Sequence, residues 1–197
     1  KYNVRLINTG QHYDDNMAGI FFKELKINKP DIDLNVGSGT HAEQTAKIMI
    51  ELEKKFLSER PELVIVFGDV NSTLAAALVA SKLHILIAHV ESGLRSFDRK
   101  MPEEINRIVT DQLSDILFTT SPEAKVNLIN EGKDHNQIFF VGNTMIDSLI
   151  NFKQFFNCDD ILSKQKINKN EYALVTIHRP SNVDILKNLK SFINALD

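Results

Sequence analysis

Four groups of residues in this chain have the types and positions that proton-transfer chemistry uses. Two apolar runs, residues 63–67 and 85–90, each end at an acid: Asp69, just after Gly68, and Glu91. A third acidic group, Glu103 with Glu104, follows a loop and opens a helix behind Pro102. A third apolar run, residues 172–177, ends at the fourth group, His178, Arg179 and Pro180. Ligands of open α/β sheets collect at the carboxyl ends of the strands. Carboxylates and an imidazole placed there suit general acid–base work. Gln11 and His12, after Thr9-Gly10, form another strand-end pair that binds ligand or shapes the turn.

Each of these residues also has a plainer structural role. Asp69 could cap the helix that starts near Asn71. Glu91 could pair with Arg95, and Glu103 with Arg107 four residues on. Glu103 and Glu104 both complement the positive end of a helix dipole. His89 reads as a hydrogen-bonded core histidine, and His178-Arg179 could sit in an ordinary surface loop. Asn71-Ser72-Thr73 after Gly68 offers amides and hydroxyls to an anion at a helix start. His41, His84 and His135 fall in polar or loop contexts and carry no hypothesis.

The elements that must position these groups alternate between strand and helix. Strands are expected over residues 2–8, 63–67, 85–90, 116–119, 138–141 and 172–177. Helices are expected over residues 16–25, 40–56, 72–82, 103–113, 121–130, 145–156 and 183–196, from their apolar spacing and start signals. Pro102 and Ser121-Pro122 mark two helix starts, and Gly132 marks a stop. Residues 30–36 read as a polar connection and 159–170 as a Lys-rich linker. Near-continuous apolar strands alternating with helices imply a parallel, doubly wound α/β sheet with right-handed crossovers.

The chain has 197 residues, 43% hydrophobic and 25% charged, as in a globular protein with one sizeable core and the start of a second domain. A net charge of −3 with scattered Lys and Arg gives no footing for nucleic acid or a membrane surface. Cys158 is the single cysteine, which excludes an internal disulfide and a cysteine zinc site and suits the cytoplasm. No run is long enough to span a membrane. Dinucleotide, P-loop, GxSxG and HExxH patterns are missing, so no metal or redox cofactor is expected. The chain opens at Lys1 and runs almost at once into an apolar segment, as a piece of a longer protein would.

Five motifs then occur in order: TGQHYD (9–14), GDVNST (68–73), HVESGLRSFDRKMPEEINR (89–107), VGNTMID (141–147) and TIHRPSN (176–182). Together they resemble the non-hydrolysing, bacterial and archaeal UDP-N-acetylglucosamine 2-epimerases, over essentially the whole chain. The resemblance implies a GT-B fold. Residues 1–157 would form an N-terminal Rossmann-like domain, 158–170 a linker and 171–197 the start of a C-terminal UDP-binding domain. It implies a cytoplasmic, homodimeric isomerase without cofactor that interconverts UDP-N-acetylglucosamine and UDP-N-acetylmannosamine for surface polysaccharides. Asp69, Glu91, Glu103 and His178 match the catalytic residues of that family. Asp69, Glu91, His178 and Arg179 match substrate contacts, and Gln11 and His12 match a region that binds an activating UDP-sugar in some members.

The chain departs from the family pattern at Ser181, where Glu is usual, and at Ser92, where Ala is usual. The family's opening strand with its Arg and Lys is not in the sequence, nor is the acidic, Gly-rich segment of the second domain. That strand would lie at the centre of the first sheet, so two inner strands should lack a partner, leaving this piece alone inactive and poorly stable. Other readings are a hydrolysing relative, epimerisation of a modified UDP-sugar, a GT-B glycosyltransferase, or a UDP-sugar sensor. Val70-Asn71-Ser72 speaks for the non-hydrolysing type.

Overall fold

The computed structural model describes residues 2–10, 25, 27–155, 159–177 and 180–196. Its backbone divides into two compact units, residues 1–152 and 153–197.

In the first unit, β1 (Ile7–Asn8) and β2 (Ile32–Asp33) form a short parallel ladder. Residues 2–6, expected as strand, do not join it; Leu6 is instead tied to Asp31 by paired bonds of 2.7 and 2.8 Å. The segment expected as a polar connection supplies β2. The expected helix at 16–25 lies, but for Leu25, outside the described residues. A second ladder holds β3 (Leu63–Phe67), β4 (Leu86–Ser92), β5 (Ile116–Thr119) and β6 (Ile138–Phe140), all parallel and in sequence order. Among the described residues, β1 pairs only with β2, and β3 only with β4.

The connecting helices are α1 (His41–Glu59), α2 (Asn71–Lys82), α3 (Pro102–Leu113) and α4 (Pro122–Asn130). Helix α5 (Thr144–Phe152) follows β6. Thr40 and Glu43 close a capping box at the start of α1. Gln44, Ile48, Leu52 and Phe56, four residues apart, form the buried stripe of that helix. Ala75, Ala76, Ala77 and Ala80 keep α2 thin, so it packs close to α1 and β3. The main core joins Ile48, Leu52 and Phe56 to these alanines, Val66 and Ile87. A smaller cluster joins Leu117 and Ile138 to Leu128 of α4.

Strand register places Val66, His89, Leu117 and Ile138 in one row of side chains. That row and Ile87 face the helices. Strand order advances in one direction from β3 to β6, and right-handed crossovers then put every connecting helix on the same side. The other face carries Leu63, Ile65, Phe67, Leu86 and Phe139, all exposed.

The second unit holds α6 (Asp159–Gln165), α7 (Pro180–Val183) and α8 (Leu186–Leu196). Helix α6 stands where a linker was expected; its Leu162 is buried, and Ile167 N–H returns to the Leu162 carbonyl at 3.1 Å. Residues 172–177, expected as a strand, form no ladder among the described residues. A strand needs a neighbour to satisfy its backbone groups, and the second unit has no other strand among those residues. No described helix is long and apolar enough to cross a membrane.

Candidate active site at the carboxyl end of the sheet

Asp69 and Glu91 leave adjacent parallel strands at the same end of the sheet, because Phe67 and Val90 are register partners. Gly68 carries the turn after β3 at φ 63°, and its N–H donates to the Val90 carbonyl at 3.1 Å. The Thr73 hydroxyl donates back to the Phe67 carbonyl and fastens the start of α2 beneath the turn. Asp69 does not cap α2: the cap position is Val70, without a side-chain bond. The Asp69 carboxylate instead pairs with Arg107 of α3. Asn106, next to it, donates to the Asp69 carbonyl at 2.8 Å. Helix α3 is thereby docked on the Asp69 turn.

Glu91 sits on a bulge in β4 between Val90 and Ser92 and has φ 72°. A left-handed backbone at a residue other than glycine costs on the order of 1–3 kcal/mol and gathers at functional sites. It turns the strand sharply just as it leaves the sheet. Glu91 is half-buried and does not pair with Arg95. Arg95 instead reaches Asp111 at 2.8 Å and grips Glu131 with two bonds of 2.6 and 2.7 Å. Burial alone would push the Arg95 guanidinium down, but Glu131 and Asp111 outweigh it and hold the group above its ordinary value.

Glu103 lies half-buried in the first turn of α3. Arg107 does not hold it, since the guanidinium is taken by Asp69 and by Glu104 at 3.4 Å. Neither Glu91 nor Glu103 has an ion-pair or hydrogen-bond partner given among the described residues, so both are available to a ligand. Glu104 is the structural acid of the pair. It is buried, and its carboxylate accepts Ser96 N–H at 2.9 Å, the Ser96 hydroxyl at 3.0 Å and Phe97 N–H at 2.9 Å. Burial pushes this carboxyl up, yet Ser96, Phe97 and Arg107 together hold it below the usual carboxylate range.

His89 is wholly buried, with both ring nitrogens hydrogen-bonded, as expected of a core histidine. Its partner Asp111 and the cation Arg107 carry more of this site than their sequence context conveyed. An acid in the last turn of a helix opposes the helix dipole, and this was the available signal for Asp111. His178, Arg179, Gln11 and His12 lie outside the described residues.

The family model of UDP-N-acetylglucosamine 2-epimerase matches residues 1–197. The chain belongs to this family. It is 53% identical over 192 residues to a UDP-N-acetylglucosamine 2-epimerase homolog of Methanococcus maripaludis, covering 96% of this chain and 54% of the relative. It is 47% identical over 194 residues to the UDP-2,3-diacetamido-2,3-dideoxy-D-glucuronate 2-epimerase of Pseudomonas aeruginosa, covering 98% and 54%. The solved UDP-GlcNAc 2-epimerase of Methanocaldococcus jannaschii, in complex with UDP-GlcNAc and UDP, superposes with a TM-score of 0.87 at 50% identity. That match covers 98% of this chain and 53% of that one. The expected α/β, GT-B-like architecture is that of these epimerases. The chain spans about half the length of the curated relatives it matches.

Proposed function

We propose that the whole protein is a non-hydrolysing UDP-N-acetylglucosamine 2-epimerase, interconverting UDP-N-acetylglucosamine and UDP-N-acetylmannosamine. The observation that carries this reading is the docking of α3 onto the Asp69 turn, which gathers Asp69, Glu91 and the Glu103 turn at one end of a sheet. The C2 proton of the sugar is too weakly acidic to leave alone. A carboxylate takes it as the C1–O bond to UDP breaks. The C2–H electron pair becomes the C1=C2 double bond, and UDP departs with the C1–O pair. Re-addition of UDP and return of a proton to the other face of C2 inverts that centre. Asp69, Glu91 and Glu103 move the proton and steady positive charge at C1; His178 and Arg179 receive the diphosphate. The reading carries with it a cytoplasmic homodimer that supplies surface polysaccharide precursors.

The test is incubation of the whole protein with UDP-N-acetylglucosamine in D2O, following C2 by proton NMR. Deuterium enters C2 of both epimers, and Glu91→Gln or Asp69→Asn lowers the rate by about a hundredfold or more. Retained exchange in both variants would overturn the assignment. Free sugar among the products would mean hydrolysis, and transfer to an acceptor without exchange would mean a glycosyltransferase. The Pseudomonas aeruginosa relative favours one second reading, the same epimerisation on a diacetamido uronate sugar. Exchange on that substrate and not on UDP-N-acetylglucosamine would establish it.

A further inference from the structure

The reaction proposed above leaves one buried charged cluster without a task. His89 is wholly buried on β4, two residues before Glu91. Its Nε2 lies 2.8 Å from the carbonyl of Gly68, the residue before Asp69. Its Nδ1 lies 2.6 Å from Oδ1 of Asp111 on α3. The second Asp111 oxygen accepts Gly93 N–H at 3.0 Å and pairs with Arg95 at 2.8 Å. Asp111 therefore grips the chain at His89 and at Gly93, the two positions that flank the strained Glu91 turn. His89 carries the same grip across to the neighbouring strand, where Asp69 begins.

Both ring nitrogens are engaged, one with the Gly68 carbonyl and one with the Asp111 carboxylate. Burying polar groups in this way costs desolvation that an aliphatic side chain at the same position would not. Stability alone does not call for it, whereas the placing of two reacting groups does.

We propose that His89, hydrogen-bonded to Asp111 and to the Gly68 carbonyl, is a positioning residue that fixes the carboxylates of Asp69 and Glu91 relative to one another. It touches no substrate and works through the Gly68 carbonyl on one side and the Asp111–Gly93 bond on the other. The inference rests on the epimerase reading of the site.

Two variants divide the ring between its partners. In His89→Gln the amide stands in for Nε2 and keeps the Gly68 bond; in His89→Asn it stands in for Nδ1 and keeps the Asp111 bond. His89→Leu keeps neither. In the whole protein, His89→Leu lowers kcat for C2 exchange by about a hundredfold, the scale of a small misplacement of reacting groups. KM changes by less than kcat, because the diphosphate contacts assigned to His178 and Arg179 keep their residues. The Gln and Asn variants each recover part of that loss. Equal rates in all three variants and the wild type, or losses carried by KM, would overturn the proposal. Should the variants fold poorly, 15N spectra of the wild-type ring decide: two hydrogen-bonded ring nitrogens support the proposal, and a ring nitrogen without a partner overturns it. A wild type without exchange would instead overturn the epimerase reading, which separates the two failures.

Discussion

Two neighbouring acids on one helix turn, Glu103 and Glu104, have opposite duties. Glu104 is spent on the loop before α3, with three hydrogen bonds to Ser96 and Phe97 and a contact to Arg107. Glu103 has no such partner among the described residues. Removing the Glu104 charge should therefore release the loop and not the chemistry. Glu104→Gln in the whole protein costs about 2 kcal/mol, the scale of a charge-assisted hydrogen bond, and speeds hydrogen exchange at the Ser96 and Phe97 amides. The same carboxyl is held below its ordinary range, so its contribution is present above the unfolded value of about 4.3 and fades as pH falls through the folded one. Wild-type protection of these two amides should therefore persist to pH values below those at which an ordinary glutamate takes up its proton, and the variant should lack it at every pH. Ser92 shows the reverse case. Its hydroxyl is buried without a hydrogen-bond partner among the described residues. Ser92→Ala removes an unsatisfied group at no cost in packing, and stabilises the protein by about 1 kcal/mol in urea unfolding.

At the level of elements, the site is a set of strand ends held by the helix that follows. The turn after β4 depends on Gly93, at φ 78°, where a Cβ would run into the carbonyl of Ala124 on α4. Asn127 of α4 also donates to the Gly93 carbonyl at 3.0 Å. Gly93→Ala forces either that turn or α4 to move. It should cost more than about 2 kcal/mol and lower kcat for exchange, because Glu91 lies two residues away; an unchanged melting temperature would refute it. The strands and helices of this region were legible in the sequence. Their apolar runs of 63–67 and 85–90 end in acids, and Pro102 and Ser121-Pro122 mark the helix starts. The partners of the charges were not legible. Local spacing offers Arg107 to Glu103 and Arg95 to Glu91, yet Arg107 crosses 38 residues to Asp69 and Arg95 crosses 36 to Glu131. Such pairs are set by strand order, which adjacent sequence does not contain. Segments 159–170 and 172–177 show where local sequence underdetermines the element: a Lys-rich stretch serves helix or linker equally, and an apolar run forms a strand only beside another, which 172–177 lacks among the described residues.

For the molecule as a whole, the direction of strand order has a consequence for stability. From β3 to β6 every crossover steps the same way, so α2 to α4 gather on one face, where α1 also packs, and leave the other without a helix from this run. Parallel sheets are ordinarily buried on both faces. Here Ile65 is 50% exposed, Phe67 63% and Leu86 54%, with Leu63 and Phe139 beside them. Burying a side chain of this kind stabilises a fold by about 1.5–3 kcal/mol, which the isolated chain forgoes several times over. The β3 edge adds backbone groups unpaired among the described residues, the feature that invites strand-to-strand association. The 197-residue chain prepared alone should therefore bind the dye ANS strongly and sediment as oligomers. Ile65→Thr with Phe67→Thr should reduce both signals, since those side chains face away from the core that contains Val66. The whole protein, of about twice this length in its relatives, should bind little dye. A chain that sediments as a monomer without dye binding would show that this face is tolerated bare.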